Sequence, residues 1–201
     1  MHQKINNIKI FSSFWFLLCL YLVIPIFTDS ISVPSWFYCF DENIPFIPLM
    51  IIPYYFYYFI IIFPPLLWNN ELKIRNITSI LNAITIICYL VFIFWPIDAS
   101  YILNQVHFAQ PSFIIYFHNL ITYDYLHQNA FPSMHVAVAT FLCLSYYHDF
   151  AKFRRISLTI AFLIFLATFF IKQHYFIDSV AGLFLGLLGF YCYVIKTRSC
   201  D

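Results

Sequence analysis

Six stretches of this chain are each apolar enough to cross a bilayer as a helix, and nearly all the basic residues fall in the gaps on one side of them. A hydrocarbon core about 30 Å thick takes about 20 residues of helix. The stretches cover residues 10–27, 46–68, 78–96, 131–147, 156–171 and 175–195. The fifth is short and is expected to borrow a turn from its flanks. With six crossings, Lys4, Lys9, Lys73, Arg75, Lys152, Arg154, Arg155, Lys196 and Arg198 all lie on one side, and Lys172 is left alone on the other. The positive-inside rule makes the crowded side cytoplasmic. The expected fold is therefore an all-α integral membrane bundle of six transmembrane helices, with both termini cytoplasmic.

Composition agrees. Apolar residues make up 63% of the chain and charged residues 9%, with a mean hydropathy of +0.81, which excludes a soluble domain with a charged shell. The 201 residues leave room for one domain, and no internal repeat or low-complexity linker divides it. All three glycines, Gly182, Gly186 and Gly189, fall in the last stretch. The first stretch is longer than a signal-peptide core and lacks a small-residue cleavage pattern, so it reads as a retained span. Cys19, Cys88, Cys143 and Cys192 lie inside spans, Cys200 in the tail, and Cys39 faces the outer side without a partner. No disulfide framework is expected from this pattern. The sequon Asn76-Ile77-Thr78 falls on the cytoplasmic side, where no glycan is expected.

The outer segment 97–130 is too polar to span. Within it Phe113, Phe117, Leu120 and Ile121 share a helical face, which predicts a helix lying on the membrane surface. Packing explains such a helix more simply than a substrate lid. The 16 Tyr, 26 Phe and 4 Trp need no cofactor, since lipid contact and interfacial anchoring account for them.

The polar residues on the outer side suggest chemistry. His135 lies in the first turn of the fourth span, behind Pro132 and Ser133, where free backbone N–H groups and a hydroxyl make an anion site. His174 and Asp178 are spaced i, i+4 at the mouth of the sixth span and share a helix face. A carboxylate there can keep one imidazole nitrogen protonated and leave the other free to attack. Lys172 adds a cation. Each residue has a plainer reading: an interfacial histidine is commonly a structural hydrogen-bonder, and Lys172 could snorkel to headgroups. Asp178 is harder to set aside, because an acid just inside a span costs a few kcal/mol.

Two segments carry a resemblance. Phe131-Pro132-Ser133-Met134-His135 and Lys172-Gln173-His174-Tyr175-Phe176-Ile177-Asp178-Ser179-Val180-Ala181-Gly182 resemble the second and third motifs of the type 2 phosphatidic acid phosphatase superfamily. More narrowly, they resemble its Phe-Pro-Ser-x-His branch, which includes inositol phosphorylceramide synthases. Ile44-Pro45-Phe46-Ile47-Pro48 through Tyr54-Tyr55 is similar to the start of that branch's second span, and the likeness runs from about Asp41 to Gly186.

The resemblance implies metal-independent phosphoryl transfer. His174 would be the nucleophile that forms a phosphohistidine, and Asp178 would orient it. His135 would protonate the leaving oxygen and then activate the acceptor, water or an alcohol. Ser133 would help hold the phosphoryl oxygens. Two features depart from the family pattern. The first motif, K-x6-R-P, is replaced by Phe94-Trp95-Pro96-Ile97-Asp98, and Ala167-Thr168 stands where Ser-Arg usually opens the third. Two phosphate-clamping arginines are thus missing, and Lys172 could replace one only as a point charge.

The leading expectation is a membrane phosphatase or phosphotransferase acting on a lipid phosphate, pyrophosphate or phospholipid at the extracytoplasmic leaflet, with no cofactor and no nucleic-acid partner. A compact chain without targeting tails suggests a bacterial inner membrane. The alternative is a catalytically degenerate lipid-binding or scaffold protein of the same fold. A histidine-ligated haem or metal protein is the third reading, disfavoured by the lack of a CxxCH motif and of facing mid-membrane histidine pairs.

Overall fold

The computed structural model describes residues 2–104, 106, 113–121 and 129–198. Seven helices of nine residues or more carry the fold among these residues. They are α1 (His2–Cys19), α2 (Ile51–Ile60), α3 (Glu71–Phe94), α4 (Phe113–Ile121), α5 (Met134–Asp149), α6 (Arg154–Phe170) and α7 (Phe176–Arg198). The described residues form no named β-strand; Ile31 and Ile97 make a single isolated bridge.

α5 is the hub. Twelve of its 16 residues are buried, on every face, so it has no polar stripe to turn outward. Around it stand α7, α6, α3 and α2, with α1 against α3. The α5–α7 contact is the closest, because glycine lets two backbones touch. A Cβ on Gly182 would lie 2.3 Å from the Ser133 carbonyl oxygen, and one on Gly186 would lie 2.5 Å from that of Ala137. The outward faces are apolar: Phe16, Phe94, Phe162 and Phe184 are each at least 60% exposed. An apolar exterior of this kind is suited to hydrocarbon and not to water.

Among the described residues, four helical segments are long and apolar enough to cross a membrane: His2–Ile26, Glu71–Phe94, Ala151–Phe170 and Phe176–Arg198. A fifth is counted if Ser35–Asn43 and Pro48–Ile60, which meet at 110°, form one broken span. The expected stretch 46–68 is not one rod. α2 stops at Ile60, and a separate turn, Pro64–Leu67, follows. Pro64 and Pro65 lack the N–H that would continue the helix. α5 is also short: 16 residues rise about 24 Å, below the thickness of a bilayer core.

Polar ties mark one end of the bundle. Lys4 bonds the carbonyl of Leu66, and Asn6 bonds Glu71 at 2.7 Å. Asp149, at the end of α5, accepts from Trp68, Tyr193 and Lys73. The opposite end is roofed by the connecting segments, where Phe37, Ile97, Ala99, Ile102, Ala130 and Tyr175 form a second apolar cluster.

The helix expected in the outer segment is present as α4, but its packed face differs from the expected one. Ile114, Phe117, His118 and Ile121 turn inward, whereas Phe113 and Leu120 are 75% and 49% exposed. His118 sets this rotation: its Nε2 lies 3.0 Å from the Ile171 carbonyl, which draws that edge onto the bundle.

Candidate active site

The starts of α5 and α7 meet at the roofed end. Ser133 caps α5, its Oγ accepting from the Val136 N–H at 3.4 Å. Its own N–H donates to the Asp178 carbonyl at 3.0 Å, so the two helix starts are bonded backbone to backbone. α7 opens with a reciprocal cap: Asp178 Oδ2 reaches back to accept from the Tyr175 N–H at 2.8 Å. Asp41 Oδ1 accepts from the Phe176 N–H at 2.9 Å. Two carboxylates thus sit at the positive end of the α7 dipole.

His174 stands just before α7. Its Nδ1 is 2.9 Å from the Ala130 carbonyl and 3.7 Å from Asp178 Oδ2. A carbonyl only accepts, so Nδ1 carries the proton and Nε2 keeps its lone pair. That Nε2 is buried and has no hydrogen-bond partner. Asp178 Oδ1 is likewise buried and unpartnered. Orphaned polar atoms of this kind at one site call for a ligand or water to complete them.

His135, 7% exposed, faces His174 with 5.8 Å between ring centres. Tyr54 holds it, the phenol lying 3.0 Å from Nε2 and 3.4 Å from Nδ1. The Tyr54 and Tyr57 rings pack on the imidazole at 4.8 and 4.5 Å.

Lys172 takes a left-handed conformation, φ 59°, at the reversal between α6 and α7. It is 3% exposed, and its Nζ donates to the Asp41 carbonyl at 2.7 Å. Burial lowers its pKa, opposed by the Asp41 charge. Burial also pushes the Asp41 carboxyl up to about 6, against the pull of the Phe176 N–H and the Lys172 ammonium.

The structure therefore gathers His135, His174, Asp178 and Ser133 at two abutting helix starts. Lys172 lies at the same end but is engaged with the Asp41 loop. Thr168, where the family pattern has arginine, bonds Ser179 at 2.8 Å, and its carbonyl accepts from the N–H groups of Gln173 and His174. Sequence reasoning missed Tyr54, the Ala130 carbonyl and the role of Asp41. Of these, Asp41, an acid in an apolar chain, and Tyr54, inside the segment that resembles the family branch, left a readable signal.

Searches of curated proteins and of solved structures return no match. The family model described as the PAP2 superfamily matches residues 30–192, which includes every residue of the constellation above. A match over most of the chain, with the site it encloses, shows that this protein belongs to the PAP2 (type 2 phosphatidic acid phosphatase) superfamily.

Proposed function

We propose that the protein is a membrane phosphatase or phosphotransferase that moves a phosphoryl group from a lipid phosphate, pyrophosphate or phospholipid through a phosphohistidine on His174. The observation that carries this reading is the His174 ring itself: Nδ1 pinned to a carbonyl, Nε2 buried and unpartnered, and a second imidazole 5.8 Å away. In the proposed first step, the Nε2 lone pair attacks phosphorus and the bond to the leaving oxygen breaks, while His135 supplies a proton to that oxygen. In the second, His135 takes the proton of the acceptor hydroxyl, whose oxygen attacks phosphorus and returns the electron pair to Nε2. Asp178 stabilises the positive charge that develops on His174. The Ser133 hydroxyl and the N–H groups of Met134 and His135 at the start of α5 receive the phosphoryl oxygens. Lys172 serves as a positive charge behind the site and helps to bind the phosphate.

The broader setting belongs to the same proposal. The chain crosses the membrane six times with both termini cytoplasmic, 46–68 as a broken span and α5 as a short one. The site then faces the extracytoplasmic leaflet of a bacterial inner membrane. The Phe131-Pro132-Ser133-Met134-His135 motif supports the branch that includes inositol phosphorylceramide synthases. The clustering of Lys73, Arg75 and Arg154 with Glu71, Asp149 and Tyr147 at the far end supports this sidedness.

The second reading is a lipid-binding protein without catalysis. It is favoured by one observation: the described arginines lie at the other end of the bundle, leaving no guanidinium fork for a phosphate. Phosphate release from a panel of lipid phosphates, pyrophosphates and phospholipids, with EDTA present, decides between the two. Chromatography of the lipid products reports any transfer. Turnover in wild type that survives EDTA and is lost in His174→Ala is the expected result. Well-folded wild type without turnover on a broad panel would instead favour the binding protein.

A further inference from the structure

A cavity of about 330 Å³ opens beside His135, on the flank that the imidazole presents to α1, α2 and α4. Its chemistry differs from that of a phosphate site. Among the described residues no Asp, Glu, Lys or Arg lines it, so an ionised group entering it would lose water and find no counter-charge from them. Tyr54, Tyr57, Tyr58 and Gln173, residues that carry hydroxyl and amide groups, line it instead. Two of these are buried and incomplete. The Tyr57 hydroxyl and Gln173 Oε1 have no hydrogen-bond partner, and their residues are 2% and 5% exposed. A phenol that can donate and an amide oxygen that accepts together match a neutral hydroxyl group, which does both. The mouth carries the exposed side chains of Leu22 and Leu120.

We infer that this cavity is an acceptor subsite for an uncharged hydroxyl compound, with Tyr57 and Gln173 as the residues that grip it. The inference rests on the proposed phosphohistidine reading and makes the protein a phosphotransferase. His135 forms part of both the cavity wall and the histidine pair, so a hydroxyl seated there is delivered to the base that must activate it. The hydroxyl replaces the Tyr54 phenol at His135 Nε2. Its oxygen then attacks the phosphorus of phosphorylated His174, its proton passes to His135 Nε2, and the phosphorus–nitrogen bond breaks with the electron pair returning to His174. The products are a phosphate ester and free enzyme, with no further reactant needed. A site of this size falls at the small end of ligand cavities. It takes a compact hydroxylated head, either free in water or carried on a lipid tail.

The test offers the detergent-purified protein a labelled lipid phosphate together with glycerol or with dioleoylglycerol, and measures the ratio of transferred product to free phosphate. Whichever alcohol is consumed identifies an aqueous or a bilayer source. Loss of one neutral hydrogen bond predicts that the ratio falls about tenfold in Tyr57→Phe. Gln173→Leu is expected to lower it similarly. Phosphate release with no transfer to either alcohol would overturn the subsite, as would an unchanged ratio in both variants. Absence of all turnover would instead count against the phosphohistidine reading. In that case the thermal midpoint of His174→Ala, measured with millimolar glycerol or dioleoylglycerol, decides the subsite separately. A rise that is lost when Tyr57→Phe is added upholds the subsite, and no rise rejects it.

Discussion

At His174 the tautomer is set by a main-chain group, and Asp178 is left with two tasks. It stands 3.7 Å from the imidazole and caps α7 through the Tyr175 N–H. The tasks separate by substitution. Asp178→Asn keeps an oxygen for the cap but removes the charge, so turnover should fall roughly a hundredfold with little change in thermal midpoint. Asp178→Ala should lose the cap as well, at about 1 kcal/mol. Equal thermal midpoints for the two variants would argue against the capping role. Asp41 bears on pH dependence. Its folded pKa of about 6 lies above the ordinary 3.8, so the folded state holds the proton longer. Its contribution to stability therefore declines as pH rises from about 4 to 6 and is flat above. Thermal melts across that range should show a shallower decline for Asp41→Asn, and parallel curves would refute the assignment. That His135, His174, Asp178 and Ser133 lie together was legible because chemistry-bearing residues stand out in an apolar chain. Tyr54 stood out only within the resembling segment and not as a partner of His135, being one of 16 tyrosines, and the carbonyl of Ala130 has no residue signature.

Among the helices, the pair α5 and α7 decides where the histidines sit. The abutment of Gly182 on the Ser133 carbonyl fixes the separation of the two helix starts. Gly182→Ala must push them apart, at about 1–3 kcal/mol, and should shift Ser133 and His135 enough to depress turnover. Gly189→Ala meets the end of Ile84 at 2.8 Å, a side chain that can move, and should cost less. Melting curves and turnover of the two variants check this order; a milder effect at Gly182 would contradict the packing argument. The glycines were visible as a cluster in the sequence, but only the packed pair reveals which atoms they admit. Hydropathy located α3 and α7 well because each is one uninterrupted rod. It merged α2 with the Pro64–Leu67 turn, since a hydropathy window does not register a missing N–H. It placed the helix α4 but not its packed face, because His118 counts as polar until Ile171 is beside it.

Across the whole molecule, the two ends differ in kind, one tied by lysine and arginine ion pairs and the other roofed by aromatic loops around two histidines. The pattern of basic residues in the sequence anticipates the clustering of Lys73, Arg75 and Arg154 at one end. The roof itself was not legible, since it is assembled from segments distant in sequence, such as Phe37 against Tyr175. Cys39 lies in this end and is exposed. In a variant retaining only that cysteine, a membrane-impermeant maleimide should label intact cells from outside; labelling only after lysis would invert the proposed orientation. The brevity of α5 has one more consequence. Asp149 ties its lower end to Trp68, Lys73 and Tyr193 at the proposed cytoplasmic boundary. A helix of about 24 Å started there ends roughly 6 Å beneath the opposite surface of a core about 30 Å thick. In that orientation His135 sits beneath the core surface and under the roofing segments, and a headgroup reaches it by sinking toward the acyl chains.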